Sequence, residues 1–408
     1  MKYDIVIVGA GIIGMTSAFY LKKNNPKKRI LVIERSLGAG QGNTAQAAGI
    51  FRHIFASMHN TKLAYSSIQF YKRIQKEYDI CLKETGYLWL LSKKQYADNY
   101  ANIQLMKQGG IRVLSCDELL KYKGIQIDLN PDDPEIQMMS LEDIHMGIYC
   151  TECGELDQTQ LVNYYRDNFL TRKGEILYQT NVESLKISPP LDFGVPLLWQ
   201  DYKITGVKTD REDIEASKVI LACGAYNSCL LDSLGIPSFS RPKKRQLFQV
   251  RAQALERLLD LPFVVLPKAG VFLKPDKSAK AFLVGGADHF GRHFDLDTHP
   301  EKRFYEYSLH PILTKYVPAF ERAQVVNSQA GLYDINYVDG VPYVYDTHNV
   351  IVVGGCSGSG IMKADAIGRI VDALYSGELN VKLFGDVDFA VSDIGITCRN
   401  VEKESFIL

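Results

Sequence analysis

One stretch near the start limits what this chain can fold into more than any other. Ile5-Val6-Ile7-Val8 is an apolar run, and G-A-G-I-I-G follows, with Gly9, Gly11 and Gly14 in the fingerprint positions. Residues 12–21 contain Ala, Met and Leu and read as a helix. A second apolar run, Ile30-Leu31-Val32-Ile33, stops at Glu34. Strand, tight turn, helix, strand and acid thus follow one another in about 30 residues. The glycines let the backbone turn sharply and approach a pyrophosphate, whose charge sits at the helix N-terminus. Glu34, about twenty residues past Gly14, is placed to bond an adenosine ribose hydroxyl. The stretch predicts a dinucleotide site in a βαβ unit.

The totals narrow the class. A chain of 408 residues with 46% in the hydrophobic set has ample material for a core, in two domains or one large interleaved fold. Lys+Arg and Asp+Glu are both 47, so there is no basic excess to support a nucleic-acid footprint. No apolar run reaches transmembrane length. The first residues already read as strand, which leaves no room for a signal peptide and makes cytoplasm the expected location. The eight cysteines make no disulfide framework by their spacing. Cys150-Thr-Glu-Cys153 is a single CxxC without the second pair a zinc site wants, so no metal is expected. Local packing and a redox or disulfide role both remain open for it.

Further along, the signals alternate between helix and strand. The loop after Arg35, L-G-A-G-Q-G-N-T-A-Q-A-A-G-I, is rich in small residues. Such a loop suits a backbone lying against a flat ring system, with Asn43 and Thr44 donating to phosphate or ribitol oxygens. Phe51-Arg52-His53 closes it. Amphipathic spacing predicts a helix over 61–78, and another is expected over 95–106. Residues 86–91 read as a buried strand, and 122–150 as turn-rich surface connection. A helix is expected over 158–171, followed by short strands at 175–178, 182–187 and 203–209. Residues 218–225, K-V-I-L-A-C-G-A, fit a central parallel strand whose carboxyl end abuts a ligand. Strands at 246–252, 263–266, 270–274 and 281–285 read as an antiparallel meander, and a helix is expected over 301–316. Residues 349–360 give a second strand and glycine loop, N-V-I-V-V-G-G-C-S-G-S-G, opening a helix at about 361–374. Nothing is legible in 381–408.

Four motifs in this order resemble the FAD-dependent D-amino-acid oxidase superfamily, in its sarcosine oxidase, dimethylglycine dehydrogenase and glycine oxidase-like branch. They are G-A-G-I-I-G with Glu34-Arg35, G-N-T-A-Q-A-A-G-I-F-R-H, V-I-L-A-C-G-A and G-G-C-S-G-S-G. The resemblance implies an α/β fold with a Rossmann-like FAD-binding domain of the glutathione-reductase type. That domain would be assembled from residues 1–83, 146–235 and 325–380. An inserted α+β substrate domain with a large antiparallel sheet would take 84–145 and 236–324, leaving 381–408 as a tail. The pyrophosphate would lie on Gly9, Gly11, Ile12, Ile13 and Gly14, and the ribose on Glu34 beside Arg35. Asn43, Thr44, Ala48, Gly49 and Ile50 would line the flavin, together with Gly358, Ser359, Gly360, Ile361 and Met362. Val182, Ala222, Cys223 and Gly224 would lie on the adenine side. Amides at the late helix start can hold the negative charge that develops on reduced flavin.

By the same resemblance, Arg52 matches an arginine that binds the substrate carboxylate, where a guanidinium can grip two oxygens in parallel. Tyr333 matches a tyrosine near the substrate. Lys363 lies one position beyond a family lysine for the carboxylate, and Met362 takes that position itself. His53 and His289 read as ordinary neutral histidines. Sarcosine oxidase-type relatives hold a lysine over the flavin. The matching place here, near Leu283, is apolar, and Lys280 is out of register. Where relatives attach flavin covalently, this chain has Gln46 and Gly331. The implied cofactor is therefore non-covalent FAD, with a dehydrogenase favoured over an oxidase.

The implied substrate is a small carboxylate-bearing amine, such as a sarcosine-, glycine- or proline-like amino acid. The electron acceptor would be oxygen, or a redox protein or quinone. A 2-hydroxy acid offers the same carboxylate handle. A flavoprotein acting as an assembly or scaffold factor is the alternative of another class. The free cysteines, absent charge bias and long tail are compatible with a homo-oligomer or with a subunit of an electron-transfer complex.

Overall fold

Alternate residues of the first strand, Lys2–Val8, point into two different cores. Ile5 and Ile7 pack with the helix Ile12–Asn24 and the helix Ala364–Ser376, whereas Val6 and Val8 pack with Val207, Val219, Leu221 and Leu231 on the other face. A strand buried on both faces needs an unbroken apolar run, as residues 5–8 supply. The computed structural model describes residues 2–189, 197, 199–287 and 295–407. His289 lies outside the described residues. Contacts divide the chain into two units. One comprises Met1–Leu82, Leu156–Lys243 and Tyr333–Ser405, and the other Lys83–Glu155, Lys244–Leu332 and Phe406–Leu408. Residues 146–155 thus fall in the second unit, and 381–405, the expected tail, in the first.

The first unit is built on an eight-stranded sheet. Its parallel centre pairs Lys2–Val8 with Ile30–Ile33 on one side and with Asp213–Leu221 on the other. The register ends together: Val8 pairs with Ile33 and Leu221, and Leu221 with Val352 of Val350–Gly354. The residues that follow these ends are Gly9, Glu34, Ala222 and the 355–360 loop. Motifs more than 300 residues apart in the chain thus emerge at one edge of one sheet, as expected for a ligand at the carboxyl ends of parallel strands. The expected strand over 218–225 is Asp213–Leu221, and it ends before the small residues. The helices Ile12–Asn24 and Ala364–Ser376 cross closely because Gly368 has no side chain: a Cβ there would lie 2.8 Å from the Thr16 backbone. The fully buried Asp365 holds this layer, accepting from Tyr20, from Tyr165 at 2.8 Å and from Arg369 at 2.8 Å.

The second unit also carries an eight-stranded sheet. Phe263–Val265, Phe272–Asp276 and Ala281–Gly285 form an antiparallel meander, and Ser240–Arg251, expected as its first strand, pairs antiparallel with Ala281–Gly285 at the far side instead. Phe263–Val265, however, pairs parallel with Tyr87–Leu91, so the sheet is mixed. The expected helix over 301–316 is broken into Lys302–Phe304, a wider turn at Tyr305–Leu309 and His310–Tyr316. Pro311 lacks the N–H that a continuous ladder would use. Residues 122–150 are more ordered than their turn residues suggested. Asp133 caps the helix Pro134–Met139 through the Glu135 and Ile136 amides, and Lys315 bonds Asp133 at 2.7 Å. The strand Met146–Cys150 then pairs with Tyr87–Leu91. Among the described residues, no helix is long and apolar enough to cross a membrane.

Candidate active site

Close approach of backbones explains two of the early glycines. Gly9 has φ +100°, and a Cβ there would lie 2.8 Å from the Ala222 carbonyl oxygen. A Cβ on Gly14 would lie 1.9 Å from the Gly9 oxygen. The helix Ile12–Asn24 begins at Gly11 without a side-chain cap of its own, and the Ile12 amide donates to the Thr44 hydroxyl at 3.2 Å. Thr44 therefore reaches the helix start itself. Glu34 is buried, accepting from the Ala10 amide at 2.8 Å and the Ser36 amide at 2.9 Å. Its carboxylate is fixed beside the glycine turn by two backbone donors.

At the next strand end, Arg35 stacks its guanidinium 4.0 Å from the Tyr226 ring centre. The Cys223 thiol donates to the Val8 carbonyl at 3.3 Å, and burial pushes it up to about 12. Asn227, which sequence reasoning passed over, is fully buried here. It accepts from the Cys223 amide at 3.0 Å and donates to the Val353 carbonyl at 2.8 Å, tying two neighbouring strand ends together. Asn227→Ala is expected to lower stability by about 2 kcal/mol, because it orphans a buried donor and a buried acceptor; a urea midpoint unchanged from the parent protein would contradict this role. Val182, by contrast, opens the outer strand Val182–Ser188, at the margin of the core.

The loop at 43–50 returns to the same unit's helices. Gly49 has φ +64°, and its missing Cβ makes room for the Leu156 carbonyl and the Gln158 side chain, each 2.8 Å from where it would be. Gln158 also donates to the Ala47 carbonyl at 3.3 Å. His53 is buried near the Tyr65 ring.

The late loop is shaped by the strand Gln324–Asn336. Asp334 accepts from the Gly355 amide through its side chain and from the Ser357 amide through its main chain, the latter at 2.9 Å. Burial pushes its carboxyl up, while Ser240 and the Gly355 amide pull it down. The Tyr333 ring lies against Gly358, where φ is +79° and a Cβ would stand 2.1 Å from the ring. Tyr333 is thus a wall of this loop. Gly360 opens the short turn Ile361–Lys363 and provides no side-chain cap. The helix proper starts later than expected, at Ala364, and its first amides are already used. Tyr71 accepts from Asp365 at 3.2 Å and donates to the Ile361 carbonyl at 2.8 Å, while Ser67 accepts from Ala366 at 3.0 Å. Any anion held here would therefore meet the amides of the 360–362 turn rather than those of the helix.

Arg52 and Lys363 come together. The Arg52 amide donates to the Met362 sulfur at 3.5 Å, joining the early loop to the late one. Its guanidinium bonds the Ile54 carbonyl at 3.2 Å and lies 4.1 Å from the Phe55 ring centre. Lys363 is wholly buried, its Nζ 4.7 Å from the same ring centre and donating to Asn60 Oδ1 at 2.6 Å. Burial pushes its ammonium down to about 7, and Arg52 lowers it further, while Cys356 and Glu404 oppose this. Asn60 donates in turn to Glu404, which also accepts from the Ala56 and Ser57 amides at 3.3 and 3.2 Å. Phe55, Asn60, Asp334 and Glu404 were not singled out from the sequence. Ser57 as the cap of the helix Met58–Ile74 was the one local signal that could have pointed to Asn60.

Backbone crossings at Gly9 and Gly14 too tight for a side chain, and helix and turn starts without caps of their own at Gly11 and Gly360, fit a group that brings anionic atoms to backbone amides at this edge. Comparison with known proteins agrees. Residues 4–374 match the FAD dependent oxidoreductase (DAO) family. FAD-dependent oxidoreductase domain-containing protein 1 of Xenopus laevis is 26% identical over 410 residues, covering 91% of this chain and 79% of that protein. Monomeric sarcosine oxidase of Bacillus sp. (strain B-0618) is 23% identical, covering 91% of this chain and 92% of that protein. Among solved structures, L-proline dehydrogenase from P. horikoshii superposes with a TM-score of 0.73 at 23% identity, covering 94% of this chain and 95% of that one. Glycine oxidase from Geobacillus kaustophilus does so with a TM-score of 0.72 at 22% identity, covering 92% and 95%. The chain belongs to the D-amino-acid oxidase superfamily of FAD dependent oxidoreductases.

Proposed function

We propose that this protein oxidises the C–N bond of a small amino acid or N-methyl amino acid by hydride transfer to non-covalently bound FAD. The observation that carries this reading is the burial of Arg52 and Lys363 against one aromatic ring, next to the loop that ends in Met362. Lys363 reaches the buried Glu404 only through Asn60, so its Nζ and the Arg52 guanidinium, set at one ring, form a pair that a further carboxylate can bridge. A substrate carboxylate is such a group. Relatives whose names specify sarcosine, glycine and L-proline support the substrate class.

When bound, FAD supplies the hydride acceptor, so the chain's part is orientation and electrostatics. Gly9 to Gly14 would receive the pyrophosphate and Glu34 the ribose, with Arg35 and Cys223–Gly224 at the adenine end. Ala48 to Ile50 and the 358–362 turn would border the ring system, with Tyr333 behind Gly358. Arg52 would hold the carboxylate and set the α-carbon in place. Lys363, near neutrality in its own environment, would take up a proton as the carboxylate enters and complete the grip. Asn60 would aim its Nζ, held by Glu404. An amine entering uncharged needs no strong base from the protein. Non-covalent attachment is supported by Gln46 and Gly331 standing where relatives use histidine or cysteine, and by the Cys356 thiol, which burial pushes up to about 12. A dehydrogenase is favoured because Leu283 occupies the place of the oxygen-assisting lysine, and Lys280 sits in a turn with its side chain 70% exposed.

Two measurements test this. The imine product hydrolyses to a carbonyl compound, which a hydrazine reagent would trap; turnover of an amino acid without any trapped carbonyl would refute C–N oxidation. The pH dependence tests the grip. Lys363 is cationic below about 7 and neutral above it. KM for a carboxylate substrate is therefore expected to rise as pH increases through this range, and the step should vanish in Lys363→Met. A step that persists in that variant belongs to another group.

A further inference from the structure

The CxxC left open by the sequence is a formed pair in the structure. Cys150 closes the strand Met146–Cys150, Thr151 and Glu152 make an exposed turn, and Cys153 leads into Gly154–Leu156. Both cysteines are buried, at 6% and 1% exposure, and their sulfurs lie within 4.8 Å of each other. The turn is pinned on both sides to one strand. Cys150 pairs with Tyr87, and the Cys153 carbonyl accepts from the Gly86 amide at 2.9 Å. A Cβ on Gly154 would lie 2.0 Å from the Lys83 carbonyl oxygen, so glycine lets the turn sit down on the chain there. The two sulfurs are thus held facing each other by backbone pairing.

We propose that Cys150 and Cys153 form a dithiol–disulfide redox site, oxidised by a small hydroperoxide and closed as an intramolecular disulfide. Cys150, the more exposed of the two at 6% against 1%, is the attacking sulfur. A hydrogen bond from Cys153 lowers its thiol from the ordinary value, against the opposing effect of burial, and the Glu152 and Cys153 amides add to the lowering. Cys223 and Cys356 are instead pushed up by burial. The Cys150 thiolate attacks one peroxide oxygen. The O–O bond breaks, the other oxygen leaves as an alcohol or water after taking a proton, and Cys150 becomes a sulfenic acid. The Cys153 sulfur then attacks Cys150, the S–S bond forms, and hydroxide leaves and takes the Cys153 proton as water. The two thiols have given up two electrons, and the peroxide has accepted them. The neighbouring thiol ends the reaction before over-oxidation.

The test uses the full-length holoprotein. It is treated with hydrogen peroxide, quenched in acid, alkylated, digested and analysed by mass spectrometry. The peptide containing Cys150 and Cys153 is expected to lose the mass of two hydrogens and to resist alkylation until dithiothreitol is added. In Cys153→Ser the sulfenic acid has no partner, so dimedone labelling of Cys150 should rise by about tenfold or more over the wild type. Full alkylation of both cysteines after peroxide treatment would overturn the proposal, as would linkage of either to a different cysteine. If Cys153→Ser does not fold, the wild-type peptide result decides by itself.

Discussion

Gly14→Ala is expected to purify without flavin. A methyl group at this position would stand 1.9 Å from the Gly9 carbonyl oxygen. Both atoms belong to backbone held by the first strand and its helix, so no side chain can swing aside. The helix start must move away from the strand end, and the amides that would hold the pyrophosphate move with it. A loss of FAD affinity of about 100-fold or more follows, equivalent to roughly 3 kcal/mol. Gly42→Ala is the control, because no atom lies within 4 Å of its Cβ and its flavin content should match the wild type. The ratio of flavin to protein absorbance, with a fluorescence titration of the apoprotein, reads the effect. Far-UV circular dichroism separates lost binding from lost folding. Wild-type FAD content in Gly14→Ala would mean that the cofactor does not rest on this turn.

The second large effect is on substrate. Arg52→Ala should lower kcat/KM for a carboxylate-bearing amine by about 100-fold, in line with 2–3 kcal/mol for a charged hydrogen bond in a buried site. The loss should appear mainly in KM, because the grip is made with bound substrate as well as in the transition state. Lys363→Met should cost less at pH 8 than at pH 6, since the ammonium is mostly neutral at the higher pH. The two residues share the Phe55 ring, so the double variant should lose less than the sum of the single losses. With an amine that lacks a carboxylate, Arg52→Ala should change nothing. Equal losses for both kinds of amine would assign Arg52 to packing.

What the sequence made legible was local. The glycine fingerprint, its flanking strands and Glu34 lie within one βαβ unit, and each step depends on neighbours a few residues away. The late loop was legible for the same reason. Arg52 was found by its motif, and Lys363 was placed in doubt by a one-residue offset. The structure sets Lys363 beside Arg52 because the turn Ile361–Lys363 precedes the helix and carries the side chain back under Phe55. Asn60 and Glu404 were invisible because their link spans 344 residues and no local pattern marks it. The helix Met58–Ile74 began earlier than periodicity suggested because Ser57, a polar cap, decides its start. The parallel pairing of Phe263–Val265 with Tyr87–Leu91 could not be read either, since an apolar run does not name its partner strand.

The proposed reaction takes a hydride from a small carboxylate-bearing amine. The most direct measurement mixes the purified holoprotein anaerobically with N-methyl amino acids, D- and L-amino acids, proline, 2-hydroxy acids and decarboxylated amines, following flavin absorbance near about 450 nm, since the flavin itself reports the transfer. Bleaching by an amino acid or N-methyl amino acid, and none by the matching amine without its carboxylate, is the expected result. Admitting air should then restore the colour slowly, as for a dehydrogenase. Flavin that stays oxidised with every amine, or that bleaches only with 2-hydroxy acids, would contradict the account.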